Sequence, residues 1–373
     1  MNTNKPLTIV IFGATGDLYK YKISQALFGL YEKGLLPPNF SIIAFARRDM
    51  DDASFRSFTA LYLPQSATDF VEKIFYIQGA FDNPTDYRKL YDYKNKIFYV
   101  ATPPVLYETI LNNLSKSGVA LNSKILLEKP FGGSSSRAHY LNDLIQKLGL
   151  EKNVLRVDHY LYKNNLVHIK NEIDKIDRSK IKKIKIILNE IKTIGSRGTF
   201  YDKIGAFLDV GQNHMLEVFA MITCGEGSER TDILKNIILQ SEIIRAQYDG
   251  YVSEEGVSPK SETETFFNIK LKLDLGAWRE IVFELESGKG LSKNESSVIV
   301  YFTDGRTITH TTSIDEDNSY EQVFYSAITG RNDLFVSGEE NAEEWRIYDE
   351  VKKSFAHSPL LIYKKGANPQ DIK

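Results

Sequence analysis

Up to Tyr160 the chain repeats one pattern: a short apolar run, then a longer amphipathic stretch. The apolar runs are Thr8–Phe12, Ile42–Ala46, Ile97–Ala101 and Ile125–Glu128. The first is followed by a helical stretch to about Lys33, and Val105–Ser117 and Ser136–Leu148 are the clearest helical stretches later on. A strand that is apolar on both faces has to be covered on both, and intervening helices supply that cover. The alternation therefore predicts a doubly wound parallel sheet. From Ile181 the texture changes. Lys182–Asn189, Thr265–Leu273, Glu280–Leu285 and Ser297–Phe302 read as strands joined by short turns, with helices at Ala206–Cys224, Tyr320–Thr329 and Ala342–Phe355. Short connections favour antiparallel neighbours, so this half predicts an α+β domain with a large, mainly antiparallel sheet. The charged run Asn171–Lys183 marks the change, which sets the domains at 1–170 and 171–373.

A length of 373 residues suits two such domains. Net charge is −2 with no long Lys/Arg run, so the chain carries no nucleic-acid footprint. The one cysteine, Cys224, excludes an intrachain disulfide and a multi-cysteine metal site. Its apolar surroundings read as those of a buried structural thiol. No apolar run reaches membrane-spanning length, and Met1–Pro6 lacks a signal-peptide pattern. The expectation is a cytoplasmic protein with no membrane or nucleic-acid partner and no metal.

Directly after the first strand stands Gly13-Ala14-Thr15-Gly16-Asp17-Leu18. Glycine at a strand end permits a tight turn and brings backbone N–H groups close to a pyrophosphate, and the next helix start adds a favourable dipole. The spacing is G-x-x-G, short of the full G-x-G-x-x-G, so a plain turn stays open as an alternative. The second strand ends in Ala46-Arg47-Arg48, with no acid before Asp49. An acid there would hold ribose hydroxyls, whereas a planar guanidinium suits a 2′-phosphate. Arg47 thus points to NADP, with NAD as the weaker alternative.

Three further motifs follow: Glu128-Lys129-Pro130-Phe131-Gly132, the run Arg156-Val157-Asp158-His159-Tyr160-Leu161-Tyr162-Lys163, and Asp209-Val210-Gly211-Gln212-Asn213-His214. With them the chain strongly resembles the glucose-6-phosphate dehydrogenase family, in one order over nearly its whole length. Phe98–Pro104, Arg197, Tyr201-Asp202, Thr263–Phe266, Ser287–Lys289 and the Trp345 helix extend the match.

The resemblance implies an N-terminal Rossmann domain for NADP and a C-terminal domain for glucose 6-phosphate. It implies a homodimer or higher homo-oligomer, and a cis bond before Pro130. His214 matches the base that takes the C1 hydroxyl proton, a task suited to imidazole. Asp158 matches the carboxylate that fixes the base's tautomer. His159 and Lys163, with Tyr160 beside them, match the phosphate site, where charge-assisted hydrogen bonds are needed. Glu190, Asp209 and Lys289 match sugar-binding positions. On the coenzyme side the resemblance carries over Gly13 to Leu18, Lys22, Arg47, Ala101, Pro103 and Lys129.

Three departures stand out. The second loop lysine of the family aligns with Asn294, which leaves Lys293 as its substitute, and Gly290 stands where a larger residue is common. Gln25 replaces a proline near the first helix start. The chain is also shorter than familiar members. Two other readings compete: a related NAD(P)-dependent enzyme acting on another sugar or sugar phosphate, and a non-catalytic coenzyme-binding sensor. The sensor would be expected to lack the base or its orienting acid, and both are present.

Overall fold

The computed structural model describes residues 6–225, 228–312 and 318–372. They form two compact units, one of residues 6–162 with 318–338, the other of the remaining described residues.

The first unit holds six strands: β1 (Leu7–Phe12), β2 (Phe40–Ala46), β3 (Ile74–Gln78), β4 (Lys96–Val100), β5 (Lys124–Glu128) and β6 (Val154–Val157). Their order is β3-β2-β1-β4-β5-β6, and every neighbouring pair is parallel. The order reverses between β1 and β4, and open α/β sheets bind ligands beyond the carboxyl ends of strands at such a reversal. Aromatic packing stiffens that end. Phe12, the last residue of β1, meets Phe45 of β2 at 4.9 Å and stacks on Tyr87 at 5.6 Å between ring centroids. Each fully buried ring of this kind contributes about 2–3 kcal/mol over its exposed state. The helix Ser319–Thr329 belongs to this unit, although it lies late in the sequence.

The second unit holds β7 (Ile181–Asn189), β8 (Ile237–Tyr248), β9 (Phe266–Leu273), β10 (Val282–Gly288), β11 (Glu295–Phe302), β12 (Thr307–Thr311) and β13 (Leu360–Tyr363), in the order β12-β11-β7-β10-β9-β8-β13. The pairs β7–β10 and β8–β13 are parallel and the others antiparallel, so the sheet is mixed and mostly antiparallel. One face packs on the helix Leu216–Thr223, where Phe219 meets Phe283 edge-on at 4.8 Å. Every residue of that helix is buried, including Glu217, whose carboxylate lies 3.2 Å from Arg230. The opposite face carries Lys183, Lys185, Glu284 and Glu286 as a ladder of ion pairs at 2.7–3.0 Å. This explains the alternation of charged and apolar residues in β7.

The sequence reading needs four corrections here. The helix expected over Ala206–Cys224 is a π-helix from Phe207 to Met215, followed by α-helix only from Leu216. The strand expected to end at Leu285 runs on to Gly288, because Glu286, Ser287 and Gly288 pair fully with β7 and β9. Strands β3, β6, β8, β12 and β13 were not anticipated. Cys224 is half-exposed, not buried, since the backbone leaves the helix at that residue. Its Sγ donates to the Ser228 carbonyl at 3.1 Å. Among the described residues no helix is long and apolar enough to cross a membrane.

Candidate active site

In the first unit the glycine loop Gly13–Leu18 starts where β1 stops. Gly13 has φ +82°, a left-handed conformation, and its N–H donates to the Phe45 carbonyl at 2.9 Å. The Gly16 N–H closes the turn on the Gly13 carbonyl, also at 2.9 Å. A Cβ at Gly13 would lie 2.4 Å from the Ala101 carbonyl oxygen. Conformation and space both demand glycine there. Ala14 is buried, Thr15 and Leu18 are half-buried, and Gly16, Asp17 and Lys22 are exposed at the rim. Asp17 pairs with Lys20 at 2.8 Å. A π-turn over Tyr19–Ile23 opens the helix that Gln25 joins.

Arg47, at the end of β2, is exposed, with its guanidinium 5.6 Å from the Phe81 ring centroid. Pro103 is exposed, and the buried Thr102 Oγ1 has no hydrogen-bond partner among the described residues. A backbone cradle that a Cβ would fill and an unsatisfied buried hydroxyl fit a nicotinamide dinucleotide. We expect Gly13→Ala to raise the coenzyme KM at least tenfold, since the left-handed strain alone costs about 1–2 kcal/mol. An unchanged KM would remove Gly13 from the coenzyme loop.

At the ends of β5 and β6 lies a dense polar group. The Lys129–Pro130 bond is cis, as the resemblance implied. Lys129 Nζ is 3.2 Å from Asp158 Oδ2, with both side chains almost wholly buried. The other Asp158 oxygen accepts from the Tyr160 backbone N–H at 3.0 Å. His159 stacks on Tyr320 at 5.5 Å, inclined by 20°, and lies 5.1 Å from Tyr160. Beneath them Glu128 accepts hydrogen bonds from the Tyr99 and Tyr320 hydroxyls. Burial pushes the Glu128 carboxyl up to about 7, with the nearby Asp158 charge adding to the rise and the two tyrosines opposing it. Glu128, Tyr99 and Tyr320 were not singled out as site residues from the sequence. A Glu beside the Lys-Pro pair was the available signal.

The second unit brings together three of the expected sugar-binding residues. Parallel pairing sets Gly288 of β10 opposite Asn189 of β7. The next residues, Lys289 and Glu190, therefore emerge side by side. Lys289 Nζ donates to Glu190 Oε1 at 3.0 Å and lies 3.2 Å from Asp209 Oδ2. The Lys289 side chain is 4% exposed, so its stem is fixed while Glu190 stays partly open to solvent. Arg197, to which no role was given, approaches Asp209 at 3.9 Å. Lys289 also lies 5.6 Å from the ring centroid of Tyr201. The Tyr201 hydroxyl is buried without a hydrogen-bond partner among the described residues. Burial first, then the Asp209 charge, drives it well above the ordinary phenol range.

Asp209 and His214 both lie in the π-helix Phe207–Met215. Five residues along an α-helix turn the side chain by about 140° away. The i to i+5 bonding of a π-helix instead stacks such residues on one face, and π-segments recur at functional sites. Gly211 permits the packing, because a Cβ there would lie 2.4 Å from the Phe207 ring. His214 is half-buried. Lys163 stands at the start of the helix Asn164–Asp174. Lys293 is not part of the Lys289 cluster. It is exposed and pairs with Glu295 at 2.8 Å, while Asn294 accepts from the Ile191 N–H.

A glycine turn after the first strand of a sheet ordered 3-2-1-4-5-6 places the first unit in the dinucleotide-binding class of α/β folds. Residues 10–168 match the family model for the glucose-6-phosphate dehydrogenase NAD binding domain, and residues 169–317 match that of the family's C-terminal domain. The chain belongs to the glucose-6-phosphate dehydrogenase family. Glucose-6-phosphate 1-dehydrogenase of Helicobacter pylori is 29% identical, with 95% of each chain covered. A solved glucose-6-phosphate dehydrogenase in complex with its substrate glucose 6-phosphate superposes with a TM-score of 0.88 at 23% identity, covering 98% of this chain and 96% of that one. The glucose-6-phosphate 1-dehydrogenase structure from Mycobacterium avium gives 0.85 at 25% identity, covering 97% and 95%.

Proposed function

We propose that the chain oxidises C1 of glucose 6-phosphate to the 1,5-lactone, using NADP in preference to NAD. The observation that carries this reading is the Lys289–Glu190–Asp209 cluster, tied to the same π-helical segment that bears His214. Carboxylates held by a buried ammonium accept hydrogen bonds from sugar hydroxyls, and an imidazole five residues along can take a proton. In this proposal His214 removes the C1 hydroxyl proton and Asp158 is the carboxylate that fixes its tautomer. His159, Tyr160 and Lys163 hold the phosphate, with Lys293 as a further cation. The bound nicotinamide supplies the hydride acceptor. The loop from Gly13 to Leu18 and the Lys22 ammonium hold the pyrophosphate. Ala101, Pro103 and Lys129 flank the coenzyme, and Arg47 reads the 2′-phosphate. We infer also that the chain acts in the cytoplasm and as a homodimer or higher homo-oligomer, as the family resemblance implies.

Reduced-coenzyme formation, followed by absorbance with glucose 6-phosphate or glucose and with NADP or NAD, tests the reading. Turnover is expected with the phosphate ester and to be at least a hundredfold weaker with glucose. Equal turnover of the two would favour an oxidoreductase acting on unphosphorylated sugars. Arg47→Ala should raise the KM for NADP about tenfold or more and leave that for NAD within twofold, because a guanidinium–phosphate contact is charge-assisted. Equal losses for both coenzymes would take Arg47 out of that role.

A further inference from the structure

At the end of the first unit's sheet opposite to the coenzyme loop lies a cavity of about 630 Å³. It opens at the amino ends of β1, β4 and β5, with Leu7, Ile97 and Lys124 in its lining. The six residues of β1 separate it from Gly13 by about 20 Å of strand. Such a volume falls within the range for organic ligands, roughly 300–1,000 Å³, and is far more than one ion needs.

The walls are apolar and preset. Leu35, Leu36, Pro37 and Pro38 form one side and Ile328 another. Proline fixes its own φ, so this wall is formed before any ligand arrives. Leu35 is 40% exposed, a large apolar group left open at the mouth. The two non-glycine residues with left-handed backbone among the described residues, Asn95 and Asn122, both line this cavity. Less-favoured backbone of this kind gathers where a ligand or a switch needs it.

The charge is one-sided. Lys96, Lys124 and Lys152 line the cavity, and none of the described residues lining it is Asp or Glu. Lys124 Nζ donates to the Ala327 carbonyl and Lys96 Nζ to the Tyr93 carbonyl. Each carbonyl occupies one proton of an ammonium that has three, and neutralises no charge. Burial lowers the pKa of both lysines, as expected for cations held without a carboxylate.

We propose that this cavity is a second ligand site that takes a small amphiphilic carboxylate, its apolar body on the Leu35–Pro38 wall and its carboxylate among the three lysines. Calorimetric titration of the full chain with octanoate, 1-octanol and acetate tests this. Octanoate is expected to bind at one site per chain, at least tenfold more tightly than either control, because only octanoate carries both features. The double variant Lys96→Met, Lys152→Met should weaken octanoate at least tenfold, while Lys116→Met, at an exposed helix position that is not among the cavity's lining residues, should change it less than twofold. Lys124 is left in place so that its bond to the helix Ser319–Thr329 is kept. Thermal midpoints of the variants show whether they fold. Octanol binding as tightly as octanoate, indifference to the double substitution, or octanoate competing with the coenzyme in steady-state kinetics would each overturn the proposal.

Discussion

Asparagine in place of His214 should lower kcat for glucose 6-phosphate by about three to four powers of ten and leave coenzyme affinity within twofold. A positioned general base contributes about 10²–10⁴-fold, and an amide cannot accept a proton from a hydroxyl at neutral pH. The rest of the site survives the change. Asparagine stays compatible with the half-buried position, and the Lys289, Glu190 and Asp209 contacts do not involve the imidazole. The loss should therefore fall on kcat, with the sugar-phosphate KM changed by less than about threefold. Stopped-flow measurement of hydride transfer with 1-deuterated glucose 6-phosphate makes the test direct. A variant that turns over at the parent rate removes His214 as the base. A variant whose KM alone rises makes it a binding residue.

The parallel sheet was readable because its central strands are unbroken apolar runs. β1, buried at all six positions, is the clearest. β6 escaped because Arg156 stands in the middle of it. That guanidinium is 1% exposed, held by Glu151 at 2.9 Å and by Asn142 at 3.0 Å, and a buried cation breaks the apolar pattern that identifies a strand. β3 and β12 are largely exposed on one side or along their length, so little apolar signal remains. The π-helix was hidden for a different reason. Its composition is that of any amphipathic helix, and what widens it is packing: Gly211 lies where the Phe207 and Phe267 rings leave no room for a Cβ. The pairing of Lys289 with Glu190 rests on a parallel register between strands about a hundred residues apart, which no local pattern encodes. The motif residues could be named from the sequence. Which of them touch could not.

Glu128→Gln should remove a pH dependence from the stability of the first unit. The folded carboxyl titrates near 7 against an ordinary value of 4.5, so between those values the folded state holds a proton that the unfolded chain has released. Stability then falls as pH rises through this window, by up to about 3 kcal/mol, and levels off above it. The groups that face the carboxyl are the Tyr99 and Tyr320 hydroxyls and Asp158, and the Tyr107 hydroxyl holds the Glu128 backbone carbonyl at 2.9 Å. Tyr99 and Tyr107 stay protonated throughout, since burial holds their hydroxyls far above neutral pH. Glutamine carries no charge at any pH. The stability of the variant minus that of the parent, from urea unfolding at a series of pH values, should thus be constant below about pH 4.5, rise in favour of glutamine up to about pH 7, and be constant again beyond. A difference that stays flat across the window would mean that Glu128 is ionised in the folded protein at pH 5. The Tyr99 and Tyr320 hydroxyls would then outweigh burial.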